Sequence, residues 1–160
     1  MSQDKEHIKA SYPLSVYNYQ VSIGGSTLGC SEVSGLSVEY EPVTYKHGLS
    51  FWMGAKVIPG MRREPVKLTL KKAIFIAKEN EDDFLSGWLR KAYEDPFQNA
   101  KQDILIDLCD EAGKAVVRWS VRQALPTKLD APTFDSNSNE VAIETLELVA
   151  HNIEVDYHPQ

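Results

Sequence analysis

The chain has 160 residues, 42% of them hydrophobic, with 17 Lys and Arg against 23 Asp and Glu for a formal net charge of −6. This size fits one domain, able to bury roughly two-thirds of its unfolded surface without staples. The acidic balance excludes general nucleic-acid binding, which needs a cationic surface to displace phosphate counterions. No apolar run approaches a membrane span, so no stable membrane insertion is expected. The polar start MSQDKEHIKASYP lacks the apolar centre of a signal peptide. Cys30 and Cys109 lie far apart and read as two buried thiols.

Residues 1–13 read as a loose arm closed by Pro13, and residues 14–157 as the domain. Tyr17, Tyr19, Val21 and Ile23 alternate with Asn18, Gln20 and Ser22, the period of a half-buried strand. Gly24 and Gly25 supply hairpin-turn positions. A second strand is expected over Leu36, Val38 and Tyr40, with a bulge or kink at Gly35. From Thr44 to Pro65 the pattern breaks into glycines, aromatics and arginines. Loops of this length in compact domains are usually functional, and Phe51, Trp52 and Met53 place large apolar groups where a contact surface would use them.

Alternation returns at Val66, Leu68 and Leu70. Asn80 is a good helix N-cap, followed by Glu81, Asp82 and Asp83 in the first turn. Phe84, Leu85, Trp88, Leu89, Ala92 and Tyr93 then share one helical face, and Pro96 ends the helix. Ile104, Ile106 and Leu108 form a strand, Asp110 to Lys114 a glycine hairpin, and Val117, Trp119 and Val121 the return strand. Pro126 and Pro132 predict a non-strand corner. Glu140 to Tyr157 then reads as one long final strand.

Catalytic chemistry is not legible. His7, His47, His151 and His158 share no metal-ligand spacing, and neither a nucleophile elbow nor a phosphate-cradling loop is present. Glu144 and Glu147, three apart in a strand, point to opposite faces and do not converge. No enzyme, cofactor or metal is expected. The pattern predicts a mainly β fold, an antiparallel sandwich or barrel with one packed helix. The final strand, apolar on parts of both faces through Val141, Ile143, Leu146 and Leu148, raises the problem of an exposed edge. Handing that edge to a sister copy is one solution; covering it within the monomer is another.

SEVSGLSVEYEPVTYKHG (residues 31–48), PGMRREPVKLTLKKAI (59–74) and the stretch from Asp110 to Leu148 resemble the contractile-tail tube proteins, over roughly residues 12–157. The resemblance extends to phage tail tubes and is strongest for the inner tubes of extracellular injection systems of the antifeeding-prophage and virulence-cassette type. It implies a subunit of a hexameric ring, with rings stacked into a hollow tube inside a sheath. Partners implied are further copies of the chain, the sheath protein, baseplate and tail-terminator proteins, and cargo effectors in the lumen. The implied location is bacterial cytoplasm at synthesis and then a phage tail-like particle, released or part of a virion. By the same resemblance Tyr45, Phe51, Trp52, Met53, Ile58 and Met61 fall at the ring-stacking interface, and Val141, Ile143, Thr145 and Glu147 on the inter-subunit strand. The longer FWMGAKVIPG stretch and DPFQNAKQ depart from simple members and fit a specialised, baseplate-proximal adaptor layer. A small β-barrel binding module gripping a partner through Phe51, Trp52 and Met53 is the other reading.

Overall fold

The computed structural model describes residues 11–46, 48, 54–60, 65–75, 84–95 and 99–159. Ten strands and one helix are found among them: β1 (Tyr19–Ile23), β2 (Ser26–Leu28), β3 (Glu32–Ser34), β4 (Val43–Tyr45), β5 (Lys56–Ile58), β6 (Val66–Ala73), α1 (Phe84–Glu94), β7 (Gln102–Cys109), β8 (Ala115–Asp130), β9 (Ile143–Ala150) and β10 (Asn152–Asp156). The chain is mainly β, antiparallel throughout these pairings, with a single described helix, as its alternating pattern predicts.

β8 organises the architecture. Its first half pairs with β7 on one side and β10 on the other, building the ladder β2-β1-β7-β8-β10. Its second half pairs with β9, building β8-β9-β6-β3. The two ladders share one core. Val21, Ile23, Ile104, Ile106, Val121 and Ile153 come from the first, and Leu68, Leu70, Leu146 and Leu148 from the second. Leu70 sits directly opposite Leu146, both with no exposed surface. Each such side chain is worth about 1.5–3 kcal/mol of transfer free energy.

α1 buries Leu85 and Trp88 against the same core. Two hydrogen bonds fix its position: the Trp88 indole Nε1 donates to the Ala100 carbonyl at 2.6 Å, and the Tyr93 hydroxyl to the Pro126 carbonyl at 2.8 Å. Tyr93 is therefore more exposed than the helical stripe predicts, while its hydroxyl reaches the sheet. The expected N-cap residues 80–83 lie outside the described residues.

Three expectations need correction. Residues 36–41 form no strand. The strand in that region is β3, three residues long, and the chain leaves it at Gly35, where φ is +91° and an added Cβ would stand 2.4 Å from the Lys67 carbonyl oxygen. Beyond this kink Leu36 packs on the core, but Val38 and Tyr40 are exposed. Pro126 does not end a strand, because β8 runs through it and absorbs its missing N–H at a register shift between Pro126 and Lys128. The final strand, in turn, is two strands broken at His151.

Candidate assembly surfaces

β4 and β5 form a two-stranded hairpin separate from the main sheet, with Val43 opposite Ile58 and Tyr45 opposite Lys56. All six ladder residues are exposed. Val43, Tyr45 and Ile58 lie on one face by strand parity, with Val57 on the other. Gly60 lets the base of the hairpin close: a Cβ there would fall 1.9 Å from the Glu41 carbonyl oxygen. Of the expected stacking residues, Tyr45 and Ile58 therefore share one exposed face. Phe51, Trp52, Met53 and Met61 lie outside the described residues.

The expected inter-subunit strand is placed differently. Thr145 pairs with Lys71 on one side and Asp130 on the other, and Glu147 with Thr69 and Lys128. Both edges of this stretch are occupied by the chain's own strands, so Thr145 and Glu147 cannot carry a ladder to a sister molecule. The reason is the continuation of β8 past Pro126, which covers the edge that a proline corner would have left open. Ile143 keeps only the partner Ala73, and Val141 stands outside any strand at 69% exposure. Glu144 and Glu147 do face opposite ways. Glu144 is half-buried opposite the buried Lys72, whereas Glu147 is exposed.

Among the described strands of the main sheet, three carry only one partner strand: β2, β3 and β10. The outer face of the first ladder beside β10 is a grid of ion pairs. Arg118 donates through Nε and Nη2 to the two oxygens of Asp107 at 2.7 and 2.9 Å. Arg122 bridges Asp103 at 3.2 Å and Glu154 at 3.1 Å. Hydrogen bonding to these carboxylates raises both guanidinium pKa values further. The Gln123 amide, donating to Asp103 Oδ1, is the main cause holding the Asp103 carboxyl below its ordinary pKa, with Arg122 adding to it. Desolvation pushes Cys30 up to about 11 and also raises Cys109, so neither thiol is activated. No group of three or more His, Cys, Asp or Glu able to hold a metal occurs among the described residues. The signal for the ion-pair grid was in the sequence, as Asp103/Asp107, Arg118/Arg122 and Glu154/Asp156 at i, i+2 or i+4 spacing on three strands, but it needed the register to be read.

The family model of the T4-like virus tail tube protein gp19 matches residues 15–154. A chain of the extended-state sheath–tube complex of PVC, an extracellular contractile injection system, is 30% identical, with a TM-score of 0.80 over 95% of this chain and 97% of that one. A chain of the PVC sheath/tube terminator in its extended state is also 30% identical, with a TM-score of 0.78 over 91% and 98%. A chain of the anti-feeding prophage cap, a tube-terminating cap, matches at 30% identity and a TM-score of 0.77 over 92% and 93%. The comparison with curated sequences returned no match. With a family model spanning nearly all of its strands, this chain belongs to the T4-like virus tail tube protein family.

Proposed function

We propose that this chain is a structural, non-enzymatic subunit of the inner tube of a contractile injection system, assembling into six-membered rings that stack inside a sheath. The observation that carries the reading is the 30% identity over 95% of the chain to a chain of the PVC sheath–tube complex. The geometry supplies what a tube subunit needs: unsatisfied strand edges for lateral contact and an exposed apolar hairpin for contact along the axis. The mechanical role follows. A ring closed through backbone hydrogen bonds has no free edges and resists shear, and sheath contraction drives the preassembled tube forward with cargo in its lumen. Sheath, baseplate and terminator proteins are its proposed partners. Synthesis in the bacterial cytoplasm precedes incorporation into a phage tail-like particle. Residues 14–157 act as the tube domain and residues 1–13 as an arm.

In this reading the inter-subunit ladder runs through β10 rather than β9. The ladder β2-β1-β7-β8-β10 has five strands of alternating direction, so its two edge strands, β2 and β10, point the same way. Head-to-tail closure around a ring axis then pairs β10 of one copy with β2 of the next in parallel. Negative-stain electron microscopy of the purified chain should show six-fold rings or tubes. A strictly monomeric species at every concentration would defeat the proposal.

A terminator or adaptor layer is the second reading, favoured by the equal 30% identity to chains of the PVC terminator and the anti-feeding prophage cap. Under it the chain forms rings but not long tubes in the same images.

A further inference from the structure

We propose that the β4–β5 hairpin of one copy of this chain seats in an apolar groove of a second copy, formed by Val16, Tyr17, Val33, Leu36, Leu108 and Trp119. The proposal rests on the reading of the chain as a self-assembling tube subunit and names the surface that receives the hairpin.

The groove has a volume of ≈ 620 Å³ and lies at one end of the layered core. It exists because the two layers differ in extent. In the first ladder Tyr19 stands opposite Leu108, and Ile106 opposite Trp119, continuing the apolar inner face toward the β7–β8 turn. The facing layer ends there in β3, only three residues long. Leu108 and Trp119 are consequently half-buried, while Val16 and Tyr17 on the rim are 86% and 81% exposed. A contiguous apolar surface of this kind marks a contact site.

The hairpin has the complementary deficit. A two-stranded hairpin by itself is marginal in water, yet β4 and β5 pair only with each other and present Val43, Tyr45 and Ile58 to solvent. Charge identifies the occupant. Residues 43–63 contain Lys46, Lys56, Arg62 and Arg63 and no acid, whereas the remaining chain carries 13 basic against 23 acidic residues. A cationic apolar hairpin is drawn to the acidic body of another copy. Glu32 lines the groove, and Asp110 and Glu111 follow Leu108 in the adjoining turn. The chain's own residues 1–10 lack this match. Asp4 and Glu6 cancel Lys5 and Lys9, and only Met1, Ile8 and Ala10 are apolar.

Single Val16→Cys and Tyr45→Cys proteins, mixed under mild oxidation near pH 8, test the contact. Cys30, whose thiol burial holds up to about 11, stays protonated there. The expected product is a disulfide-linked heterodimer that forms in the mixture and in neither protein alone. Val16→Asp and Tyr45→Asp should each lower the assembled fraction at least ten-fold while leaving the melting temperature of the subunit unchanged. Cross-linking confined to a doubly substituted single chain, or normal tube formation by Val16→Asp, overturns the groove contact and leaves the tube reading intact. An unsubstituted protein that never assembles overturns both.

Discussion

The backbone amide of His151 donates to the carbonyl oxygen of Arg122 at 3.0 Å, tying together the two points at which neighbouring strands change layers. On β8 the change occurs at Gln123, which has φ of +52°. On the last segment it occurs at His151, between β9 and β10. The two strands cross from one ladder to the other side by side, and this bond holds the crossing in register. It also explains how one strand of 16 residues serves both layers.

Gln123 is the one described non-glycine residue with positive φ. An L side chain with a branched Cβ is poorly tolerated in that region. Gln123→Val should therefore destabilise the unassembled subunit by about 1–2 kcal/mol, and Gln123→Gly should stay within about 1 kcal/mol of the parent. Urea denaturation of both variants measures the difference. Equal stabilities would mean that the crossing does not depend on this conformation.

Two glycines should separate fold from assembly. Gly35→Ala forces a Cβ to 2.4 Å from the Lys67 carbonyl oxygen at positive φ, on the edge of the main sheet. Strain of this kind costs about 1–3 kcal/mol, and the melting temperature should fall. Gly60→Ala places a Cβ 1.9 Å from the Glu41 carbonyl oxygen, at the base of a hairpin that contributes no residue to the core cluster. Its melting temperature should hardly change while assembly is lost. A large stability loss in Gly60→Ala would show that the hairpin supports the fold.

The strands at 19–23, 66–73 and 102–109 and the helix at 84–94 are legible in the sequence because their apolar period matches local geometry. What escaped was decided by tertiary contacts. The Pro126 signal is genuine locally, but a bulge and the Tyr93 hydroxyl on its carbonyl keep the residue within the sheet. The break at His151 has no composition signal, since it follows from the crossing at Gln123. Leu36, Val38 and Tyr40 alternate as a strand would, yet Gly35 turns them off the edge of β6. The same logic limited the site. Tyr45 and Ile58 are exposed as the broken pattern implies, whereas Thr145 and Glu147 owe their interior position to a neighbour whose length the sequence concealed.

Acid should act through Asp103. Its carboxyl is held below the ordinary value, chiefly by the Gln123 amide and then by Arg122. The stabilisation is therefore present above the unfolded carboxylate range and is lost as pH falls through the lower, folded-state value. Asp103→Asn removes the titrating group, so its stability relative to the parent should improve as pH falls from 5 to 2. At the alkaline end, Cys30 keeps its proton up to about 11 in the folded chain. Its contribution is complete below the unfolded thiol value and is lost as pH rises through the folded one. Stability curves against pH for Asp103→Asn and Cys30→Ala, each compared with the parent, check both signs.

The edge at β10 yields the sharpest test of lateral assembly. In a strand successive N–H groups alternate sides, so within Asn152–Asp156 every second amide faces β8 and the others face away from it. A proline deletes one donor. Placed where the N–H points away from β8, it removes a bond to a sister copy and leaves the monomer's ladder whole; one residue along, it removes a bond within the monomer. Glu154→Pro and Val155→Pro should consequently behave oppositely, one folding normally but failing to close rings, the other losing stability. Native mass spectrometry reads the oligomer and circular dichroism the fold. If both variants formed rings with undiminished yield, the β10 edge would not be the lateral contact, and the remaining single-partner strand β3 would have to be tested in its place.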